Sequence, residues 1–428
     1  MDVYDIVGVG FGPSNIAVAI AAEESGTPLS MAFFDRREKF SRHAGLMFDG
    51  AEMQVSFLKD LVTQRNPRSR FSFLNYLTER GRLADFINLR SFYPTRVEFN
   101  DYYTWAAGQF ENSVHWSSEI VSVAPVPDDG ADDVEYLEVT VEDTATGSRR
   151  TVRTRNLVIA PGGSPRVPEG VHPGSRVFHA SQTADRLARD FTDHEAPYHF
   201  NIVGGGQTAA DVFIHLRRSY PQARITTSIR GFAIQAEDDT HFVNELFSPE
   251  MPDWFHSREP EFRERLLKRY SLAVHTGVSY DLIPAIYREY YEDKVTNSGR
   301  LRMMRFSELV ATHESDLRVR ATYRDLEGGP DTELDSDAVV LATGYDYPTP
   351  VPFLASCEKF LHHEEDSSYT VRRDYAIETG PAFRPRIFLQ GFAEKTHGFS
   401  EVLLSLMPFR AAEIVASRYD AATLVGAE

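Results

Sequence analysis

Two segments of the chain share one plan, in which a short apolar run leads into a glycine cluster and then into a helix-forming stretch. The first segment runs from Tyr4 to Ala22 and the second from His199 to Leu216. This order is typical of a strand, a tight turn and a helix whose N-terminus binds a pyrophosphate, because glycine allows close approach and the free N–H groups attract negative charge. Two such segments predict an α/β fold with two Rossmann-like dinucleotide-binding domains.

The first glycine cluster carries the signs of a site for an unphosphorylated ribose. Its third glycine position is Pro13, which the first turn of a helix accepts because the missing N–H is not needed there. The next apolar run ends at Asp35, 25 residues beyond Gly10 and close to the spacing of about 20 expected for an acid that binds ribose hydroxyls. The cluster therefore predicts FAD or NAD, and its predicted binding residues are Gly8, Gly10, Gly12, Pro13, Ser14 and Asp35.

The second glycine cluster ends in a basic residue instead. Gly204 and Gly206 occupy the first two positions and Ala209 the third, and the strand after the helix runs to Arg230. A base in place of the acid favours a 2′-phosphate and hence NADPH, with Arg218 as a nearby substitute for that role. A flavin held beside a nicotinamide in one chain indicates an oxidoreductase.

Between the clusters, alternating segments predict an antiparallel meander at residues 121–152 and a second one from residue 317 onwards. We expect each meander to precede a returning strand, the second of these being residues 338–341. The predicted first domain is then split over residues 1–166 and 339–428, and a second domain at 199–334 is inserted in it.

Bulk properties exclude several classes of function. The 428 residues carry a formal net charge of −18, which disfavours nucleic acid and anionic lipid as partners. No apolar run reaches the length of a membrane span, and the single Cys357 cannot form an internal disulfide or a redox pair. We therefore expect a cytoplasmic protein without a membrane anchor, in which Cys357 is packed in the interior. The histidines show no metal-ligand spacing, and no metal is expected.

Two further motifs identify a subclass. One runs from Asp337 through Leu341-Ala342-Thr343-Gly344-Tyr345 to Pro350, and the other is Met53–Leu61. Together with the glycine clusters they resemble the N-hydroxylating flavin monooxygenases, the lysine, ornithine and diamine N-hydroxylases of siderophore biosynthesis. The resemblance extends over nearly the whole chain, including residues 70–77, 93–96 and 394–400.

The resemblance implies FAD and NADPH as cofactors, molecular oxygen and a small amine as substrates, and reaction through a C4a-hydroperoxyflavin. Gln54 would lie against the flavin, while Lys59 and Asn244 would hold the substrate and act in catalysis. An electrophilic flavin needs a neutral amine, although a lysine side chain has a pKa of about 10.4 in water. An enclosed pocket that excludes water is therefore expected. The other residues placed by the resemblance are Gln207, Thr208, Thr343, Gly344, Tyr345, Ser400 and Leu403 at the cofactors, and His275 and Ser400 at the substrate.

The choice of amine rests on two conflicting observations. Ornithine-specific members usually carry an Asn-Thr-Asn-Tyr-Ser stretch that holds the carboxylate, and the matching region here, Ala273–Asp281, lacks both asparagines. Lys59, in contrast, could pair with a carboxylate. We expect lysine or a diamine such as putrescine or cadaverine ahead of ornithine, in a homodimer or homotetramer. The alternatives are a flavin monooxygenase that acts on sulfur and a non-catalytic flavin- and NADPH-binding redox sensor.

Overall fold

A computed structural model describes residues 2–42, 44–127, 133–347, 349 and 351–418, without the side chain of Ser400. In these residues the strands are, in chain order, β1 (Val3–Val9), β2 (Met31–Phe34), β3 (Val114–His115), β4 (Ser118–Pro127), β5 (Val134–Asp143), β6 (Arg149–Ile159), β7 (Ser164–Pro165), β8 (Val177–His179), β9 (His199–Val203), β10 (Arg224–Ser228), β11 (Leu301–Met304), β12 (Ser307–Glu314), β13 (Val319–Asp325), β14 (Thr332–Ser336), β15 (Ala338–Leu341), β16 (Tyr345–Asp346) and β17 (Arg386–Leu389). The α-helices are α1 (Pro13–Glu24), α2 (Phe73–Glu79), α3 (Leu83–Leu89), α4 (Arg96–Gly108), α5 (Thr183–Asp190), α6 (Gln207–Ser219), α7 (Met251–His256), α8 (Pro260–Arg269), α9 (Leu282–Thr296), α10 (Glu394–His397) and α11 (Met407–Ala416).

The first sheet has the order β3-β2-β1-β6-β5-β4, with β17 also paired to β6. Strands β1, β2, β3, β6 and β17 pair in parallel, whereas β4, β5 and β6 form an antiparallel meander. The first half of β6 pairs with β5 and its second half with β17. This arrangement confirms the meander predicted near residues 121–152.

Helix α1 covers one face of the first sheet because it is apolar all round. Every residue from Asn15 to Ala22 is buried, as expected for a helix without a polar face. Helix α11 packs against α1, and aromatic residues from α2 and α4 complete the same core. The C-terminal helix therefore sits directly behind the first glycine cluster.

The second sheet has the order β11-β10-β9-β15-β8, and all of its strand pairs are parallel. The three-stranded antiparallel sheet β12-β13-β14 confirms the second predicted meander. Its apolar side chains pack with those of β8 and β15 in one core. The second glycine cluster lies between β9 and α6, as predicted.

One sequence-based assignment is wrong. Strand β15, predicted to return to the first domain from residue 339, pairs with β8 and β9 in the second sheet. Strand β8 likewise lies in that sheet although it precedes residue 199. The strand that returns to the first sheet is β17, beside β6. The four residues of β15 are all buried, and a continuous apolar run suits a central parallel strand of either sheet. Residues 419–428 of the predicted first domain lie outside the described residues.

Several properties of the described residues bear on function. None of their helices has the length and apolar character needed to cross a bilayer, and no group of three or more His, Cys, Asp or Glu side chains in this part of the chain could hold a metal ion. Cys357 is fully buried, and burial raises the pKa of its thiol to about 12. It is thus the packed interior residue that the sequence predicts.

Candidate active site

A cleft of about 2420 Å³ is lined by elements of both sheets and by the segments that connect them. It brings together most of the predicted site residues, which come from seven separate stretches of sequence. Those that line it are Gln54, Lys59, Gly204, Gly206, Gln207, Thr208, Arg230, Asn244, His275, Thr343, Gly344, Tyr345 and Leu403. Gly8, Gly10, Gly12, Pro13, Ser14 and Asp35 lie outside this lining, and the side chain of Ser400 lies outside the described residues.

The second glycine cluster forms a helix N-terminus that opens on the cleft. Gly204 has a φ of +139°, and a Cβ atom there would lie 2.3 Å from the carbonyl oxygen of Ala342. Gly206 caps helix α6 without a side-chain hydrogen bond. A helix N-terminus without such a cap leaves N–H groups for an anion. The backbone therefore fits a pyrophosphate at this position.

The two predicted NADPH contacts Gln207 and Arg230 have different surroundings in the structure. Gln207 donates to Asp211 Oδ1 at 3.0 Å and accepts from the Ser279 N–H at 2.8 Å, so both ends of its amide are held by the chain. Arg230 follows β10 and lines the cleft with its side chain exposed. Arg218 lies outside the lining, at the C-terminal end of α6, which leaves Arg230 as the better placed base.

The first glycine cluster has the geometry of a nucleotide cradle as well. A Cβ atom at Gly8 would lie 2.3 Å from the ring of Phe33, and Gly10 has a φ of +77°. Gly12 caps α1 without a side-chain bond and has open space where its Cβ would stand, and Pro13 begins the helix. The residues present therefore fit a second pyrophosphate.

Asp35 follows β2 as predicted, but its carboxylate is already paired within the chain. It accepts from the Phe11 N–H at 2.8 Å and from Arg37 Nη2 at 2.6 Å, and it is buried. Burial alone would raise the pKa of Asp35, but the hydrogen bond and charge of Arg37 and the Phe11 N–H outweigh it and hold the pKa below its usual value. Its role at a ribose stays a prediction.

A buried polar network behind the first cradle was not predicted from the sequence. Arg410 of α11 donates to Glu401 Oε2 at 2.7 Å and to Gln390 Oε1 at 3.1 Å. Gln390 donates in turn to Asn15 Oδ1 at 3.1 Å, and Asn15 donates to the carbonyl oxygen of Gly10 at 2.7 Å. The C-terminal segment thus holds the glycine turn in place.

The middle of the cleft contains a small group of charged and amide side chains. Gln54 Nε2 donates to Glu237 Oε2 at 2.9 Å, and Lys59 Nζ lies 5.4 Å from the ring centroid of Phe247. Burial lowers the pKa of Lys59, and the charge of Glu237 opposes that shift. Burial and the charge of Asp239 raise the pKa of Glu237, against the influence of Gln54 and Lys59. Glu237 was missed because an acidic residue in a loop carries no signal of its own.

Asn244 and His275 line the same cleft and are fastened to neighbouring segments. Asn244 is the second residue of the 3-10 helix Val243–Phe247 and donates to the carbonyl oxygen of Asp239 at 2.6 Å. His275 Nε2 lies 2.6 Å from Glu394 Oε1. Both residues line the cleft, and their contact with the substrate stays a prediction.

The motif that begins at Asp337 forms a crossing between the two sheets. The Gly344 carbonyl oxygen accepts from the Arg166 N–H at 2.9 Å and lies 3.0 Å from His179 Nε2. Thr343 Oγ1 donates to the carbonyl oxygen of Arg166, and β16 pairs with β7. These bonds place residues 343–345 on the wall of the cleft. Pro348 and Pro350 of the motif lie outside the described residues.

Two nucleotide cradles on two Rossmann sheets, with a cleft lined by both sheets, define an FAD- and NADPH-dependent oxidoreductase. The model of the L-lysine 6-monooxygenase/L-ornithine 5-monooxygenase family matches residues 2–347, and the chain belongs to that family. An L-ornithine N(5)-monooxygenase of Pseudomonas aeruginosa is 38% identical over 424 residues, which cover 98% of this chain and 94% of that protein.

Solved structures agree with this assignment. An ornithine N-hydroxylase of Kutzneria sp. 744, in complex with reduced FAD, NADP⁺ and L-ornithine, has a TM-score of 0.92 and 36% identity, and the match covers 97% of this chain and 99% of that one. An L-lysine 6-monooxygenase of Pseudomonas syringae has a TM-score of 0.83 and 29% identity, with coverage of 97% and 99%.

These comparisons confirm the two-Rossmann fold, FAD and NADPH as cofactors, and an N-hydroxylating flavin monooxygenase. The non-catalytic alternative therefore falls away. The ranking of lysine and diamines above ornithine is not confirmed, because the more similar of these proteins are ornithine enzymes.

Proposed function

We propose that the protein hydroxylates the terminal amine of L-ornithine. The observation that carries the proposal is that Lys59 and Asn244 line one cleft with the second nucleotide cradle. The names of the relatives support the same substrate. Lysine and the diamines remain the alternatives to be tested, since the region around Ala273 lacks the expected asparagines.

The reaction balances as one oxygen atom of O₂ inserted into an N–H bond and the other released as water. NADPH supplies two electrons and one proton as a hydride, and the solvent supplies the second proton. FAD, when bound, takes the electrons from NADPH and activates the oxygen. The task of the chain is to exclude water and to hold a neutral amine in line with the flavin. The apolar side chains of Phe247 and Leu403 on the cleft wall suit that task.

In this proposal Lys59 attracts the substrate carboxylate, Asn244 hydrogen-bonds the substrate, and Gln54 positions the flavin. Lys59 is half-buried, so its charge acts in a setting of lower dielectric than water and attracts an anion more strongly there. The remaining assignments follow the predictions. FAD would be held by Gly8, Gly10, Gly12, Pro13, Ser14, Asp35, Thr343, Gly344, Tyr345, Ser400 and Leu403, and NADPH by Gly204, Gly206, Gln207, Thr208 and Arg230, with His275 and Ser400 near the substrate.

The product, an N-hydroxylated amino acid, would serve as the iron-binding precursor of a hydroxamate siderophore. A homodimer or homotetramer in the cytoplasm is proposed on the resemblance alone.

The test measures hydroxylamine product, oxygen uptake and peroxide together. Purified protein with FAD and NADPH is offered ornithine, lysine, putrescine and cadaverine separately. We expect product from ornithine in proportion to the NADPH oxidised, with little peroxide. A strong preference for another amine would make that amine the substrate instead of ornithine. Peroxide without hydroxylamine product from all four amines would refute amine hydroxylation.

A further inference from the structure

Glu237 places a carboxylate in the cleft for which the proposed function has no use. It lines the cleft together with Gln54, Lys59 and Asn244. Its oxygen Oε2 accepts from Gln54 Nε2 at 2.9 Å, and it influences the charge on Lys59. An acidic side chain in a pocket for amines requires an explanation.

The position of Glu237 is fixed by its backbone. Its N–H donates to the carbonyl oxygen of Val278 at 2.9 Å, and the Val278 N–H donates to Gln235 at 3.0 Å. A Cβ atom at Gly277 would lie 2.4 Å from the Cα of Glu237, so the two segments are in direct contact. The carboxylate is thus held beside the region that lacks the expected asparagines.

The side chains of Lys59 and Glu237 form an incomplete charge pair. Among the described residues, neither Lys59 nor Glu237 takes part in an ion pair within 4.0 Å, although each influences the pKa of the other. Burial disfavours the charge on both side chains. A ligand with one negative and one positive group would complement both charges at once, and the head group of an amino acid has that pattern.

We propose that Glu237 binds the α-ammonium group of the substrate while Lys59 binds its α-carboxylate. This proposal rests on the proposed function and deepens it. It makes Glu237 a specificity-determining residue that holds the head group by its ammonium, while Lys59 holds the carboxylate. A charge-assisted hydrogen bond at a partly buried site corresponds to a change of about 10- to 100-fold in affinity.

The test uses three substrates that differ only in the head group. Ornithine has both charges, 5-aminopentanoate lacks the α-ammonium, and putrescine lacks the carboxylate. Glu237→Gln keeps the shape and can still accept from Gln54, so the fold should be retained. We expect kcat/KM to fall about 10- to 100-fold for ornithine and putrescine and to stay unchanged for 5-aminopentanoate. Lys59→Met should show the complementary pattern, with a larger fall in kcat/KM for ornithine and 5-aminopentanoate than for putrescine.

The control is Glu245→Gln, which removes a nearby exposed carboxylate outside the cleft lining. It should leave kcat/KM unchanged for all three substrates. An equal loss for all three in Glu237→Gln would mean that Glu237 only supports Gln54, and no loss would mean that it does not touch the substrate. Either result, with wild-type protein active on ornithine, overturns this proposal alone. Wild-type protein that prefers putrescine, or hydroxylates none of the three, refutes the proposed function itself.

Discussion

Acidification should destabilise the protein through His397, the buried last residue of helix α10, whose preceding residues line the cleft. His397 is 2% exposed, stacks on Tyr375 and has its Nε2 at 2.9 Å from the carbonyl oxygen of Arg373. Burial lowers its pKa from 6.5 to about 3, the charges of Arg373 and Arg410 and the neighbouring His256 add to the shift, and the bond to Arg373 opposes it. The folded protein therefore holds a neutral imidazole at every pH above about 3.

The sign and size of the effect follow from proton linkage. Between pH 6.5 and pH 3 the unfolded chain binds one more proton at this residue than the folded chain, so the free energy of unfolding falls as the pH falls. At 1.36 kcal/mol for each pH unit, the loss from His397 is about 2 kcal/mol at pH 5. Above pH 6.5 the residue contributes no pH dependence.

The assay compares urea unfolding of wild-type protein and His397→Gln at pH 7, 6 and 5 and at constant ionic strength. The variant loses packing and is less stable at pH 7, but its loss of stability between pH 7 and pH 5 should be smaller than that of wild type by about 2 kcal/mol. His172→Gln, at an exposed position, controls for the removal of one imidazole. Equal losses in wild type and His397→Gln would refute the reasoning.

Three further predictions concern the cradles. Arg410→Met leaves Glu401 buried without its cation, so it should lower the free energy of unfolding by about 3–5 kcal/mol and weaken FAD retention, as measured by urea unfolding and flavin fluorescence. The double variant with Glu401→Leu should recover part of the lost stability. A double variant no more stable than Arg410→Met would contradict the role of the buried charge. Gly204→Ala places a Cβ atom 2.3 Å from the Ala342 carbonyl oxygen at a φ of +139°. It should raise the KM for NADPH at least about 10-fold without loss of FAD. The control Gly231→Ala, where a Cβ atom would stand in open space, should leave the KM for NADPH unchanged. Arg230→Ala should lower kcat/KM for NADPH about 10- to 100-fold and leave NADH unchanged, and an equal decline with both cofactors would exclude Arg230 as the residue that binds the 2′-phosphate.

The parts of the fold that were predictable depend on local physics. Each glycine cluster has an apolar strand before it and a helix after it, and these relations lie within about 20 residues of sequence. The placement of β15 failed because pairing partners in a parallel sheet are set by the whole topology. A run of four apolar residues is equally suited to both sheets.

Residues of the candidate site could be predicted where they belong to a recognisable sequence motif. The hydrogen-bond partners of those residues could not be predicted, because neighbours in space provide them. Gln54, Lys59 and Asn244 line one cleft as expected. Asp35, at the expected place after β2, has Arg37 and Phe11 as partners, which the position in the sequence does not reveal. The network of Arg410 likewise joins residues that are nearly 400 positions apart, since it extends to Ser14.

The two conflicting sequence clues to the substrate also depend on which side chains are neighbours in space. The absence of two asparagines near Ala273 argues against an amino acid only if no other side chain holds the head group of the substrate. In the structure Glu237 packs against Gly277, within that region, and lines the same cleft as Lys59. A carboxylate there can bind the α-ammonium that a diamine and an amino acid share, whereas only Lys59 distinguishes them by the carboxylate. Substrate choice in this chain is therefore a property of the pair, and comparison of one stretch with its relatives cannot determine it.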